Sequence, residues 1–175
     1  LAAGTGPVTR AITEIIGDPR AAMAIDPSIG MLTSGRIPAA RVNAPAELLP
    51  LRSGSFDFIS IGFALRHFAD LQVVFDECHR VLRPGGRILI LEITAPESRL
   101  GRAFLGAYMG GVVPLAVRIR TRSARAAELF RYYWETTRDC VRPAVIMETL
   151  QSAGFEQPAR NVEMGLFSEY TATRR

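Results

Sequence analysis

Leu1-Ala2-Ala3-Gly4-Thr5-Gly6-Pro7 opens the sequence, and Ala21-Ala22-Met23-Ala24-Ile25-Asp26 follows it as a short apolar run that ends on an acidic side chain. Two glycines between a strand and a helix allow bare backbone amides to approach an anionic ligand at the helix N-terminus. Pro7 suits the first turn of a helix, and the apolar spacing after it predicts a helix that stops at Gly17. This order of loop, helix and strand favours an α/β fold.

The remainder of the chain continues the alternation of short apolar runs with amphipathic stretches of helical length. Such alternation is typical of a parallel sheet. The tight connection at Gly165 predicts that the last two strands form an antiparallel pair. We expect strands near Arg41–Val42, Phe56–Phe63, Arg87–Ile93, Ala159–Glu163 and Phe167–Thr173, helices over Asp70–Leu82 and Pro143–Ala153, a turn at Pro84–Gly86, and mostly helix between Ala95 and Cys140.

The composition excludes several chemistries. All 21 basic residues of this 175-residue chain are arginine, so there is no lysine for a Schiff base, a P-loop or an amine nucleophile. The length and the hydrophobic content of 48% fit one globular domain. Cys78 and Cys140 stand apart, without the spacing of a disulfide framework or a metal site. We therefore expect no metal, a reducing compartment and a cytoplasmic protein.

The charge pattern bears on partners. Scattered arginines balanced by 17 carboxylates argue against a nucleic-acid partner. Ala103–Val117 is uncharged but broken by glycine and proline, and it is too short to span a bilayer. Because Arg102 and Arg118 flank it, this segment could rest peripherally on an anionic membrane surface. The alternative is an apolar lid or a core helix.

Asp26 and the glycine loop together indicate a cofactor that contains adenosine. An acidic residue at the end of the second strand can accept hydrogen bonds from both ribose hydroxyls. Thr9 replaces the third glycine of the dinucleotide fingerprint and Pro7 removes an amide, so the loop suits an amino-acid carboxylate better than a pyrophosphate. The competing interpretations are a structural tight turn at the glycines and a helix start at Asp26-Pro27-Ser28.

At this point the sequence resembles a known family. Its motifs, in this order, look like those of class I S-adenosylmethionine-dependent methyltransferases, above all the UbiE-type branch that methylates a ring carbon of ubiquinone and menaquinone precursors. The motifs are Ala3-Gly4-Thr5-Gly6, Asp26-Pro27-Ser28, Gly30-Met31-Leu32, Ala46-Glu47-Leu48-Leu49-Pro50, Ser55-Phe56-Asp57, Leu65-Arg66-His67, Arg80-Val81-Leu82-Arg83-Pro84-Gly85-Gly86 and Ala153-Gly154-Phe155.

The resemblance implies a set of residues that bind S-adenosyl-L-methionine. Ala3, Gly4, Thr5 and Gly6 would hold its methionine end, Asp26 and Pro27 its ribose, and Pro45 and Ala46 its adenine, with Gly62 beside them at the end of the fourth strand. Two positions depart from the family. Pro45 stands where the family usually has Asp or Asn, and Gly62 stands where the quinone enzymes often have serine.

The resemblance also implies the architecture. It predicts a Rossmann-like, seven-stranded, mostly parallel sheet with helices on both faces and a reversed C-terminal strand pair. Residues 1–175 would form a class I methyltransferase domain that lacks most of its first strand and the helices before it. We therefore expect an upstream segment in the natural protein.

Arg66 and His67 are the candidate catalytic residues. Methyl transfer from a sulfonium depends mainly on holding the nucleophile in line with the methyl group. For a ring carbon, a cation or base that favours a phenolate would help, and both residues follow the fourth strand at the ligand-binding edge. Each could instead pin the loop structurally. Glu92 ends the fifth strand nearby and is not expected to touch the acceptor.

The sequence therefore predicts an S-adenosylmethionine-dependent methyltransferase that acts on a carbon of a quinol or related aromatic small molecule, with a homodimer as its expected assembly. One alternative is a natural-product or other small-molecule methyltransferase. Another is a nonenzymatic cofactor-binding or assembly subunit. An NAD-dependent reductase is disfavoured by Thr9 and by the closing strand pair.

Overall fold

The computed structural model describes residues 1–94, 99–113, 115–116, 140–163 and 167–175. Short 3₁₀ turns lie at Pro19–Ala21 and Leu65–His67, and a π-helical turn over Tyr108–Val112 continues the fourth helix. The helices are α1 (Pro7–Ile16), α2 (Ile29–Ser34), α3 (Leu71–Val81), α4 (Arg99–Ala107) and α5 (Pro143–Ser152). The strands are β1 (Met23–Asp26), β2 (Ala40–Asn43), β3 (Phe56–Gly62), β4 (Leu82–Ile93), β5 (Phe155–Glu163) and β6 (Phe167–Arg174).

Most predicted elements are confirmed, and the differences lie at strand ends. β4 begins at Leu82 and includes the predicted turn at Pro84–Gly86, because Phe56 pairs with Leu82 and the register then shifts before Phe58 pairs with Arg87. β5 begins at Phe155, earlier than predicted, because Phe155 and Glu156 already pair with Arg174 and Thr173 before an irregularity that ends at Ala159. The predicted helical stretch is confirmed in α4, and its part over residues 117–139 lies outside the described residues.

Within the described ranges the six strands form two sheets. β1 and β2 are parallel, and the second sheet has the order β3-β4-β6-β5. β3 is parallel to β4, whereas β6 is antiparallel to both β4 and β5, which confirms the reversed closing pair. The predicted single sheet of seven strands is not what the described residues form. Residues 1–3 lie between the two sheets: the backbone nitrogen of Leu1 donates to Ser60 O at 2.7 Å, and the N–H of Ala3 donates to Ile25 O at 3.0 Å.

One face of the four-stranded sheet carries the main core. Alternate residues of β4 are buried, as a strand with one packed face requires. α3 and α5 cover this face with apolar side chains at helical spacing, and Asp70 caps α3 by accepting from the N–H groups of Gln72 and Val73. The buried side chains include Ile59, Ile61, Val74, Phe75, Cys78, Val81, Ile88, Ile90, Ile146, Leu150, Tyr170 and Ala172.

The segment that could rest on a membrane surface overlaps α4 and the π-helical turn after it. Leu100, Tyr108, Val112 and Leu115 are exposed apolar side chains of this segment. In the part of the chain that the structure describes, no helix combines the length and the apolar character needed to cross a membrane.

Gly6 is required by packing as well as by its conformation. It precedes α1 with a φ of 88°, a region that side chains disfavour. A Cβ at this position would overlap Cγ1 of Ile37, which is buried with Ala24 and Leu32 in a second apolar cluster. Gly17, at the other end of α1, has a φ of 76° but open space around it.

These two glycines make a matched pair of substitutions. We expect Gly17→Ala to lower the free energy of unfolding by about 1 kcal/mol, which is the cost of the left-handed conformation alone. Gly6→Ala should cost about 1–3 kcal/mol more, because its methyl group also displaces Ile37. Urea denaturation followed by circular dichroism measures both values, and equal losses would contradict the packing role of Gly6.

Candidate active site

A cavity of about 410 Å³ opens at the edge where β1 and β3 end. This volume lies in the range of small-molecule sites, and the carboxyl ends of parallel strands are where α/β sheets bind ligands. Its lining comes from the first loop, the end of β1, the loop after β2 and the residues after β3. The lining residues are Leu1, Ala2, Gly4, Asp26, Pro27, Ser28, Met31, Ala44, Ala46, Glu47, Gly62, Phe63, Ala64, His67 and Phe68.

Asp26 joins the glycine loop to the start of α2. Its side chain is buried, its Oδ2 accepts from Gly4 N–H at 2.8 Å, and its Oδ1 accepts from Ser28 N–H at 2.8 Å. Ser28 in turn caps α2 by accepting from Met31 N–H, so the predicted helix start is present as well. A carboxylate oxygen can accept more than one hydrogen bond, so Asp26 retains acceptor capacity toward the cavity.

The structure separates the predicted ligand residues into two groups. Gly4, Asp26, Pro27, Ala46, Gly62 and His67 line the cavity; Ala3, Thr5, Gly6, Pro45 and Arg66 do not. Of the second group, Gly6 packs on Ile37, and Ala3 is tied to β1. The backbone of Thr5 lies close to Gly35, so that a Cβ added to Gly35 would overlap the carbonyl oxygen of Thr5. These three residues contact neighbouring segments of the protein and do not line the cavity.

The end of β3 is tightly packed. A Cβ on Gly62 would lie 2.9 Å from Cγ2 of Val8, so a glycine lets α1 approach the strand. Phe63 follows with a φ of 56°, an uncommon conformation for a bulky residue, and its N–H donates to Leu91 O at 2.7 Å. Backbone conformations of this kind cluster at ligand sites. No sequence pattern singled out Phe63 as a site residue, because its position follows from pairing with β4.

His67 and Arg66 lie on the turn after Phe63 but have different surroundings. His67 lines the cavity, and partial burial together with the nearby Arg66 charge lowers its pKa below 6.5, so the imidazole is neutral at pH 7. Nη1 of Arg66 donates to Phe63 O at 2.7 Å and lies 3.7 Å from Oε1 of Glu92. Nε of Arg66 is buried and has no hydrogen-bond partner among the residues that the structure describes.

Glu92 is a buried acid that faces this turn. Its side chain is 1% exposed, and its Oε2 accepts from Leu65 N–H at 3.1 Å. Burial raises the pKa of Glu92, although the N–H groups of Ile93 and Leu65 and the charge of Arg66 act in the opposite direction. A signal was present in the sequence, since an acidic residue stands at the end of an apolar strand. Only the structure shows that it holds the Arg66 turn.

A second polar group lies beside Glu92 and was not predicted. Thr94 and Ser168 share a buried hydrogen bond of 2.6 Å, and Arg160 donates to both hydroxyls. Tyr170 is fully buried next to them, with the Arg160 guanidinium 5.9 Å from its ring centre. Arg160 lies in β5, Ser168 and Tyr170 lie in β6, and Thr94 directly follows β4, so these residues meet only in the folded sheet.

Solved structures define the class of this protein as an α/β methyltransferase-like fold. A SAM-dependent methyltransferase from Thermotoga maritima superposes with a TM-score of 0.67 at 19% identity, over 100% of this chain and 80% of that one. Phosphoethanolamine N-methyltransferase 2 from Haemonchus contortus, solved with S-adenosyl-L-methionine, gives a TM-score of 0.65 at 14% identity, over 99% and 47%. At these identities the likeness concerns the fold.

The chain belongs to the ubiE/COQ5 methyltransferase family, which matches residues 1–173. Ubiquinone/menaquinone biosynthesis C-methyltransferases UbiE from Shewanella sp. (strain ANA-3) and Shewanella baltica (strain OS155 / ATCC BAA-1091) are both 31% identical to it over 166 residues. The alignment covers 90% of this chain and 65% of each relative, so the chain spans about two thirds of their length. The family resemblance drawn from the motifs is confirmed.

The buried carboxyl of Glu92 generates a pH prediction. Its pKa in the folded state is raised above the ordinary value of 4.5, so the native protein binds more protons than the unfolded chain as the pH passes 4.5. Stability from this group is therefore present at low pH and is lost as the pH rises through the folded pKa. We expect the unfolding free energy of wild type to fall relative to Glu92→Gln over this window. A difference that is constant with pH in urea titrations would contradict the assignment.

Proposed function

We propose that the chain forms the catalytic core of an S-adenosylmethionine-dependent methyltransferase. The observation that carries this proposal is Asp26, a buried carboxylate that joins Gly4 and Ser28 at the wall of the cavity. Membership of the ubiE/COQ5 family supports the same activity. Asp26 would accept from the ribose hydroxyls, the loop at Gly4 would receive the methionine end, and Ala46 would lie against the adenine. When bound, the cofactor supplies an activated methyl group on a sulfonium.

Asp26→Asn tests the cofactor assignment. An amide retains one acceptor oxygen but loses the charge that strengthens bonds to Gly4, to Ser28 and to a ribose. We expect the affinity for S-adenosylhomocysteine, measured by calorimetry, to fall about 10-fold or more, as for loss of a hydrogen bond to a charged group. Asp57→Asn is a control, since Asp57 is exposed and pairs with Arg83 away from the cavity. Binding of NADH but not S-adenosylhomocysteine by wild type would overturn the proposal.

For the acceptor we propose a quinol ring carbon. The supporting observation is that the curated relatives from Shewanella are named ubiquinone/menaquinone biosynthesis C-methyltransferases. Replacing a ring hydrogen by a methyl group releases one proton. His67 is neutral and lines the cavity, so it would accept the proton of a ring hydroxyl and return it to the oxygen after the methylated ring carbon has lost its own hydrogen as the released proton, while the charge of Arg66 would favour the phenolate. Glu92 would hold Arg66 on its turn.

Arg66→Ala should lower turnover with a prenylated quinol by about 100-fold, in the range for loss of one positioned acid–base or charge-stabilising group. Affinity for S-adenosylhomocysteine should stay near wild type, because Arg66 does not line the cavity. Arg83→Ala, at an exposed ion pair, is the matched control. Unchanged turnover in Arg66→Ala would remove Arg66 from catalysis. Methylation of other phenols but of no quinol would favour a small-molecule methyltransferase with another acceptor.

We also propose that the complete sheet has seven strands. β1 and β3 present facing edges, and Leu1 to Ala3 bond to both of them, through Ser60 and Ile25. A strand placed between these edges and leading into Leu1 would join the two sheets, and residues 1–175 would then be a methyltransferase domain without most of that strand and the helices before it. A mass spectrum of the natural protein that matched residues 1–175 alone would contradict this.

Two further parts of the proposal concern association. The exposed apolar side chains Leu100, Tyr108, Val112 and Leu115 support peripheral contact with a membrane. Cosedimentation with anionic vesicles tests this contact. A homodimer remains a prediction, for which light scattering gives the mass.

A further inference from the structure

The loop after β2 is fastened to α3 by two charged side chains. This loop, residues 44–53, supplies Ala44, Ala46 and Glu47 to the cavity wall. Glu77 Oε2 accepts from Leu49 N–H at 2.8 Å. Arg80 donates to the carbonyl oxygens on the same stretch, from Nη2 to Leu49 O at 3.0 Å and from Nη1 to Leu51 O at 2.8 Å. Both backbone groups of Leu49 are therefore held by α3.

Arg80 and Glu77 also hold each other in one geometry. Nε of Arg80 lies 2.7 Å from Oε1 of Glu77, and Nη2 lies 2.9 Å from Oε2, so the two ions form a bidentate pair. The bond to Arg80 lowers the pKa of Glu77 and raises the pKa of Arg80, so both stay charged at neutral pH. A lysine ammonium could not make this set of bonds from a planar fork.

The opposite side of the loop faces the cavity. Ala44 and Ala46 are buried, while Pro45 between them is exposed and has no N–H to donate. Neither alanine has a polar side chain, so a purine beside this wall can be read only through backbone groups and Glu47. The direction of those backbone groups depends on how the chain is fixed at Leu49 and Leu51.

We propose that Arg80 and Glu77 are positioning residues that make the cavity selective for adenine over other purines. The proposal rests on the function proposed above, in that the cavity binds a nucleoside thioether. Adenine carries an amino group where hypoxanthine carries a carbonyl oxygen. Loop backbone groups that are held in one orientation can hydrogen-bond only one of these two purine groups, whereas backbone groups that are free to rotate can bond either.

The test compares the binding of two ligands by calorimetry. S-adenosylhomocysteine and S-inosylhomocysteine differ at this purine group. In Arg80→Gln and Glu77→Gln we expect the affinity for S-adenosylhomocysteine to fall about 10-fold, the scale of one charged hydrogen bond. The ratio of the two affinities should move toward one. Arg80→Lys should resemble Arg80→Gln, since it keeps the charge but loses the fork.

Arg83→Gln is the matched control. Arg83 is three residues further on and also pairs with a carboxylate, Asp57, but both side chains are largely exposed. Its affinity ratio should equal that of wild type. Equal weakening of both ligands in the Arg80 and Glu77 variants, with an unchanged ratio, would show a role in stability alone and overturn the proposal.

Hydrogen exchange of the wild-type protein gives a second measurement that needs no variant. The Leu49 amide, bonded to Glu77, should exchange more slowly with S-adenosylhomocysteine bound and at an unchanged rate with homocysteine, which lacks the purine. An unchanged rate with both ligands, in a protein that binds S-adenosylhomocysteine, would overturn the inference and leave the proposed function standing. Absence of binding by wild type would overturn both.

Discussion

The cavity depends on the two hydrogen bonds that the carboxylate of Asp26 accepts from backbone N–H groups. Through Gly4 this carboxylate fixes the first loop, and through Ser28 it fixes the start of α2, so two elements separated along the chain meet at the end of β1. Its bonds are charge-assisted and partly buried, which makes them both strong and costly to lose. The same residue that stabilises the loop therefore carries the acceptor oxygens that a ribose would meet.

The sequence predicted the features that local chemistry determines. Asp70 caps α3 because a short acidic side chain reaches the amides two and three residues later, and that relation is visible in the sequence. The closing antiparallel pair followed from a tight connection, and Asp26 from its position at a strand end. The glycine pair was also recognisable, since such loops require conformations that other residues disfavour.

Contacts between distant residues could not be predicted in this way. Gly6 is constrained by Ile37, and Leu65 is held by Glu92, through contacts that only the folded chain brings together. The family resemblance implied that Gly6 holds the methionine end of a cofactor, and the position of Arg66 after a strand made it a candidate catalytic residue. In the folded chain Gly6 packs against Ile37, and Arg66 lies beside the buried acid Glu92. The strand count stays a prediction for a similar reason, because pairing across β1 and β3 is a property of the assembled sheet.

Two acid–arginine pairs bond to segments that line the cavity, and the pKa of the acid is shifted in opposite directions in the two pairs. Arg80 and Glu77 meet through two short bonds at a partly exposed site, and the pKa of Glu77 is lowered. Arg66 and Glu92 are 3.7 Å apart, Glu92 is buried, and desolvation raises its pKa. In the first pair the direct bond to Arg80 changes the pKa of Glu77 more than burial does. In the second pair burial changes the pKa of Glu92 more than the longer contact with Arg66 does. The first pair therefore suits a fixed support for the loop of residues 44–53. The second places a buried acid with a raised pKa and, among the described residues, an unpaired Nε of Arg66 at the turn after β3.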